Sequence, residues 1–132
     1  MTPYIKTASD LIADSNLPDY GSLRRPAERP LRVLSLFSGC GGMDLGMEGG
    51  FIAPGKAFAS EPEAIERRLN ADWVLLRRTR FETVFANDIL PEAAAAWKAY
   101  MSRFGKDGGT YSRESVVDLV KRQKAGESVF PG

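Results

Sequence analysis

The residues with the most chemical content are three glycines and an acid. Gly39, Gly41 and Gly42 follow directly on the apolar run Val33, Leu34, Leu36 and Phe37. Glycine has no Cβ, so the chain can turn sharply there and a ligand can approach bare backbone. Asp88 follows a second apolar stretch, Val84-Phe85-Ala86. An acid at the end of a strand in that place can accept hydrogen bonds from both hydroxyls of a ribose. Composition excludes other chemistries. The chain has no histidine, which removes a Ser-His or Cys-His nucleophile and a histidine-rich metal site. No metal ligand set is expected.

The glycine spacing narrows what could bind. The dinucleotide fingerprint needs G-x-G-x-x-G. Gly39 and Gly41 fit, but Asp44 stands in the third place, so a pyrophosphate cofactor is a poor match. No Gly-Lys-Ser/Thr follows, so the Walker pattern fails too. The start of the next helix would still attract an anion, and a carboxylate would serve. That points to S-adenosylmethionine, which carries a carboxylate and an adenosine but no phosphate. On these residues alone, a glycine-rich surface turn without a ligand stays open. So does an Asp88 that only caps the helix after it.

The elements that must position these groups can be read in order. Arg32 to Phe37 reads as a strand buried on both faces of a parallel sheet. A helix is expected from about Gly41, with Gly49 and Gly50 ending it. Pro54-Gly55 marks a loop. Ser60 and Glu63 form a capping-box pattern with Pro62 in the first turn, which predicts a helix from Glu61 to about Asn70. Trp73 to Leu76 reads as a short strand, and Val84 to Ala86 as a second buried strand. Ala93, Ala94, Trp97, Met101 and Phe104 recur at helical spacing. They predict a helix packed on the sheet and stopped by Gly105, with Trp97 in the core. After a glycine-rich loop, Gly105 to Gly109, Glu114 to Val120 is expected to give a third strand running into a helix that ends near Gly126. Residues 1–30, broken by Pro3, Pro18, Pro26 and Pro30, read as a leader, with Ser9 capping a short helix over Asp10 to Asp14. The glycine loop and the ribose acid are usually about 20 residues apart. The wider gap here makes residues 53–80 an expected insertion. Arg67, Arg68, Arg77, Arg78 and Arg80 make this region locally basic. Solvated charge is the plain reading of them, and a phosphate contact the alternative.

Leu36-Phe37-Ser38-Gly39-Cys40-Gly41-Gly42, then Gly46, then Gly50-Phe51, closely resembles the first motif of the DNA (cytosine-5) methyltransferases. Ser35 stands where that family often has Asp. Phe85-Ala86-Asn87-Asp88-Ile89 resembles the second motif, in which the acid holds the ribose. Ser115-Val116 aligns best with the third motif, usually Gly-Asp-Ile, with Ser115 in place of the acid that bonds the adenine amino group. The resemblance covers residues 31–132. It implies an α/β, Rossmann-like, S-adenosylmethionine-dependent methyltransferase fold, here the N-terminal half of a doubly wound sheet, with strand 1 at an open edge. By position it implies a cofactor set of Phe37, Gly39, Cys40, Gly42, Asp88, Ile89, Ser115 and Val116. Phe37 and Ile89 flank the adenine. Gly39, Cys40 and Gly42 meet the methionine part through their backbone.

The family's Pro-Cys motif, which supplies the nucleophile that attacks C6 of a flipped cytosine, is not among these 132 residues, nor is its Glu-Asn-Val motif. Cys40 is not preceded by proline, so no catalytic residue is assigned. The resemblance therefore implies the cofactor-binding portion of an enzyme that methylates C5 of cytosine in DNA, of restriction-modification or phage type. Such a portion would be inactive alone and would reach DNA through a complementing C-terminal fragment or subunit. Two other readings remain: a stand-alone S-adenosylmethionine-binding or regulatory protein, and part of an RNA cytosine methyltransferase.

Composition suits that reading. The net charge is +1, with 27% charged and 43% apolar residues, ordinary for one globular domain and unlike a strongly basic nucleic-acid module. No stretch of about 18 apolar residues offers a membrane span. A single cysteine cannot form an internal disulfide, which leads to a cytoplasmic expectation.

Overall fold

The computed structural model describes residues 23–106 and 110–132. The expected leader helix and part of the Gly105 to Gly109 loop lie outside the described residues. The elements in order are β1 (Leu31–Ser35), α1 (Gly42–Glu48), β2 (Ile52–Pro54), β3 (Ile65–Arg68), β4 (Trp73–Leu76), β5 (Phe81–Asn87), α2 (Pro91–Met101), β6 (Tyr111–Ser112) and α3 (Val116–Lys124). They divide into two units.

One unit, Pro26–Glu48 with Thr79–Gly132, is α/β. Its sheet is parallel throughout, in the order β1-β5-β6. The first strand therefore lies at an edge, as the expected order requires. The ladder from β1 to β5 runs from Leu31 opposite Phe81 to Ser35 opposite Ala86, with an irregularity after Val33. Ala86 joins Ala94, Trp97, Met101 and Tyr111 in a buried cluster, and Leu45 of α1 packs against it. The alternation that placed Ala94, Trp97 and Met101 on one face of α2 is thus the face that meets the sheet. Helix α2 passes into a 3-10 turn, Ser102–Phe104, and Gly105 ends it with φ 75°. Beyond α3, Phe130 stands edge-on to Phe85 with centroids 5.3 Å apart, and its backbone amide donates to Gln123 Oε1.

Two expectations about this unit are corrected. Strand β1 is not buried on both faces: Leu34 is 49% exposed and Phe37, just beyond it, 76%. As an edge strand it has one neighbour, and nothing among the described residues pairs with its other side. The third strand is Tyr111–Ser112, not a segment starting at Glu114. Ser115 instead caps α3, its Oγ accepting from the Val117 amide at 3.2 Å. A serine before an apolar run serves as an N-cap more readily than as a strand residue.

The other unit, Gly49–Arg78, holds an antiparallel sheet in the order β2-β4-β3. Ala53, Val74 and Leu76 form its core, with Phe51, Phe58 and Ile65 packed against them. The helix expected from Glu61 to Asn70 is not formed. A 3-10 turn, Pro62–Ala64, leads into β3, and no side chain caps that turn. The reason is local. Only Ala64, Ile65 and Leu69 are apolar there, too few for a helical stripe. Ile65 gains a place in the core by pairing with Leu76 instead. Asn70 Oδ1 fixes the hairpin between β3 and β4, accepting from the amides of Asp72 (2.9 Å) and Trp73 (3.0 Å). Arg77 is paired with Glu66 at 2.7 Å. No helix of the described residues is long and apolar enough to cross a membrane.

Candidate functional site

The carboxyl ends of β1 and β5 bring the two predicted groups together. After β1 the chain turns through Phe37 (φ 56°), Gly39 (φ 55°) and Gly41 (φ 92°) into α1. After β5 comes Asp88, half-buried. Its Oδ2 accepts from the Gly39 amide at 3.0 Å, and its Oδ1 accepts from the Leu90 amide at 3.1 Å. Asp88 thus has two roles within the fold. It steadies the chain entering α2, and it holds the glycine loop. A carboxylate has about four lone-pair sites, so one on each oxygen remains for a further donor.

The loop is tied down by short polar side chains. The Ser38 amide donates to the Asn87 carbonyl at 2.6 Å. Ser38 Oγ accepts from the Asn87 amide at 2.9 Å and donates to the Ser35 carbonyl at 2.7 Å. Ser35, where the resembled motif often has Asp, donates through Oγ to Asp44 Oδ1. The other oxygen of Asp44 accepts from Trp97 Nε1 at 2.8 Å. The Tyr111 hydroxyl donates to the Gly39 carbonyl at 3.0 Å. Burial raises the Tyr111 pKa to about 12, aided by the charges of Asp88, Asp44 and Cys40. The hydroxyl therefore keeps its proton as a donor across the physiological range.

Open space borders this loop. A Cβ on Gly39 or Gly42 would meet nothing within 4 Å. Phe37 is 76% and Ile89 62% exposed; both are apolar side chains flanking Asp88 and the loop in sequence. Cys40 is exposed and is not paired in a disulfide. Ser115 and Val116 sit at the start of α3, and the Ser115 Oγ is already used in its cap. The residue whose backbone reaches Asp88 from the third strand is Ser112, whose carbonyl accepts the Asp88 amide at 3.2 Å. Among the described residues no cluster of His, Cys, Asp and Glu could hold a metal ion.

Asp44, Trp97 and Tyr111 were not assigned to the site from sequence. Trp97 read as core, Tyr111 drew no reading, and both are buried. The one available signal was Asp44 itself, a charged residue one turn into a helix whose neighbours are glycine and apolar residues. Such an acid is almost never fully buried without a partner.

No family model matches the chain, and no solved structure matches it. The Type II methyltransferase M.BsuRI of Bacillus subtilis is 40% identical to it over 70 residues, which are 52% of this chain. The match spans 15% of that protein's length. Over those 70 residues, the chain is similar to a methyltransferase.

Proposed function

We propose that the α/β unit is the S-adenosylmethionine-binding portion of a DNA (cytosine-5) methyltransferase of restriction-modification or phage type. The observation that carries this reading is the Asp88 carboxylate at the end of β5, hydrogen-bonded to Gly39 of the turn after β1. That contact brings the strand-end acid and the glycine turn into one place. The resemblance of both motifs and the similarity to M.BsuRI support it. The fold it implies is the first half of a doubly wound, Rossmann-like sheet.

The residues present fit the cofactor. Asp88 takes the ribose hydroxyls on its remaining lone pairs. Phe37 and Ile89, exposed and apolar, would flank the adenine. Gly39, Cys40 and Gly42 offer backbone along the methionine part, with no Cβ on either glycine to obstruct it. Ser115 and Val116 join this set through motif position alone. When bound, the cofactor supplies an activated methyl group. The nucleophile for C6 of cytosine must come from outside these residues, because Cys40 belongs to the loop. A complementing polypeptide with a Pro-Cys motif would provide it, together with the DNA contacts.

Calorimetry with S-adenosylmethionine tests the first half of this reading. Asp88→Ala should cost about 1.5–3 kcal/mol of affinity, the worth of a hydrogen bond to a charged group. Equal affinity in variant and parent would reduce Asp88 to a helix cap. Transfer of labelled methyl to DNA and to RNA, by the chain co-expressed with a Pro-Cys polypeptide, tests the second half. Label on cytosine in DNA is expected. Label on RNA alone would sink the DNA assignment, and turnover by the 132-residue chain unaided would sink the need for a complement.

A further inference from the structure

Gly41 needs its glycine twice over. Its φ of 92° is a conformation that other residues avoid. A Cβ there would also lie 2.5 Å from Trp97 Cδ1 and 3.1 Å from Nε1. The loop therefore rests directly against the edge of the indole ring. Trp97 is fully buried, so its Nε1–H needs an acceptor within the protein. That acceptor is Asp44 Oδ2 at 2.8 Å, on a carboxylate that is itself 1% exposed. The other oxygen of Asp44 receives Ser35 Oγ, at the end of β1. Tyr111, with its centroid 5.2 Å from that of Trp97, takes the Gly39 carbonyl. A buried acid thus connects the last residue of β1, the first turn of α1 and the ring on α2 that supports the glycine turn.

We propose that Asp44 is a positioning residue for the cofactor loop, acting through Trp97. By fixing the indole against Gly41, it sets where the backbone between Ser38 and Gly42 stands relative to Asp88. This rests on the S-adenosylmethionine reading for its ligand, but not for its geometry. A purely packing role makes a different forecast. If Asp44 only filled space, leucine, with the same branching at Cγ, would fill it at least as well as asparagine. Asparagine would then be no better than leucine. A positioning role reverses that order, because the asparagine carbonyl oxygen can still accept Trp97 Nε1 while its amide donates to Ser35 Oγ.

The test compares Asp44→Asn, Asp44→Leu and Trp97→Phe in the full chain. One readout is hydrogen exchange at the amides of Gly39 and Gly41, which donate to Asp88 and to the Ser38 carbonyl. The amides of Leu31 and Thr83, bonded elsewhere, serve as internal references. The second readout is affinity for S-adenosylmethionine. In Asp44→Leu and Trp97→Phe, exchange at Gly39 and Gly41 should quicken while the reference amides hold, and affinity should fall roughly tenfold, the equivalent of about 1.4 kcal/mol. Asp44→Asn should keep both near parent values. Loop exchange as slow in Asp44→Leu as in Asp44→Asn, or quickening equally at the reference amides, would overturn the proposal. A parent that binds no S-adenosylmethionine, with the loop exchange ordered as expected, would remove the cofactor reading and leave the positioning role standing.

Discussion

Tyr111 shows how much a single buried hydroxyl can govern. It donates to the Gly39 carbonyl while its ring lies in the core beside Trp97. Ionising it would turn a donor into an anion facing a carbonyl and two acids. Its pKa is raised from 10.0 to about 12, chiefly by burial and then by Asp88, Asp44 and Cys40. The folded value lies above the unfolded one, so the associated stability is fully present below pH 10 and disappears as pH rises toward 12. The phenolate absorbance of the parent, less that of Tyr111→Phe, should isolate a group titrating near 12. Urea unfolding should lose stability more steeply over this range in the parent than in the variant. A Tyr111 that ionises near 10 would mean that the hydroxyl faces solvent and does not hold the loop. Little of this was legible in sequence. Glycine and a strand-end acid announce themselves by type and place, so Gly39 and Asp88 could be found. A tyrosine or tryptophan that packs and also donates looks the same as one that only packs, because the donor's partner lies on another element.

At the scale of the elements, α1 carries an acid where a helix disfavours one. Glu48 is its last residue, with no basic residue in that turn to offset it. The side chain is fully buried and accepts from the Thr83 amide at 2.8 Å. Strand β6 pairs only with Ala86 and Asn87, so Glu48 stands in for the strand that does not extend to Thr83. Lys106, 8% exposed, neutralises it at 3.1 Å. Lys106→Met should therefore destabilise the chain, by up to about 3 kcal/mol, because it takes a buried positive charge away from Glu48. Adding Glu48→Gln should recover much of that loss, since glutamine still accepts the Thr83 amide. Urea denaturation of the two variants measures it, and no recovery in the double variant would mean that Lys106 acts by packing alone. Where each element's own residues decide its form, the sequence could be read. The apolar spacing of α2 is an example. It misled where long-range pairing decides. Glu61 to Asn70 has helix-start chemistry, yet Ile65 and Arg68 are drawn into a ladder with β4. The third strand was misplaced because a two-residue strand leaves no periodicity to detect.

For the molecule as a whole, the open side of β1 is the feature with consequences in solution. A parallel strand is normally covered on both sides, yet Leu31 and Leu34 are 43% and 49% exposed. Such an edge recruits other chains, and a lysine on it discourages them. The isolated chain should self-associate reversibly as concentration rises, and Leu34→Lys should shift it toward monomer in sedimentation velocity. A parent that stays monomeric at all concentrations would show that the edge is protected. A different feature bears on how such a chain can change length. The Thr79 amide donates to the Glu48 carbonyl at 2.9 Å, so the parallel unit closes its own backbone across the point where residues 49–78 leave and return. Lengthening, trimming or exchanging them alters no strand order and moves no residue of the glycine turn in the ladder. Descendants of this chain could therefore vary that segment freely while the cofactor loop stayed fixed.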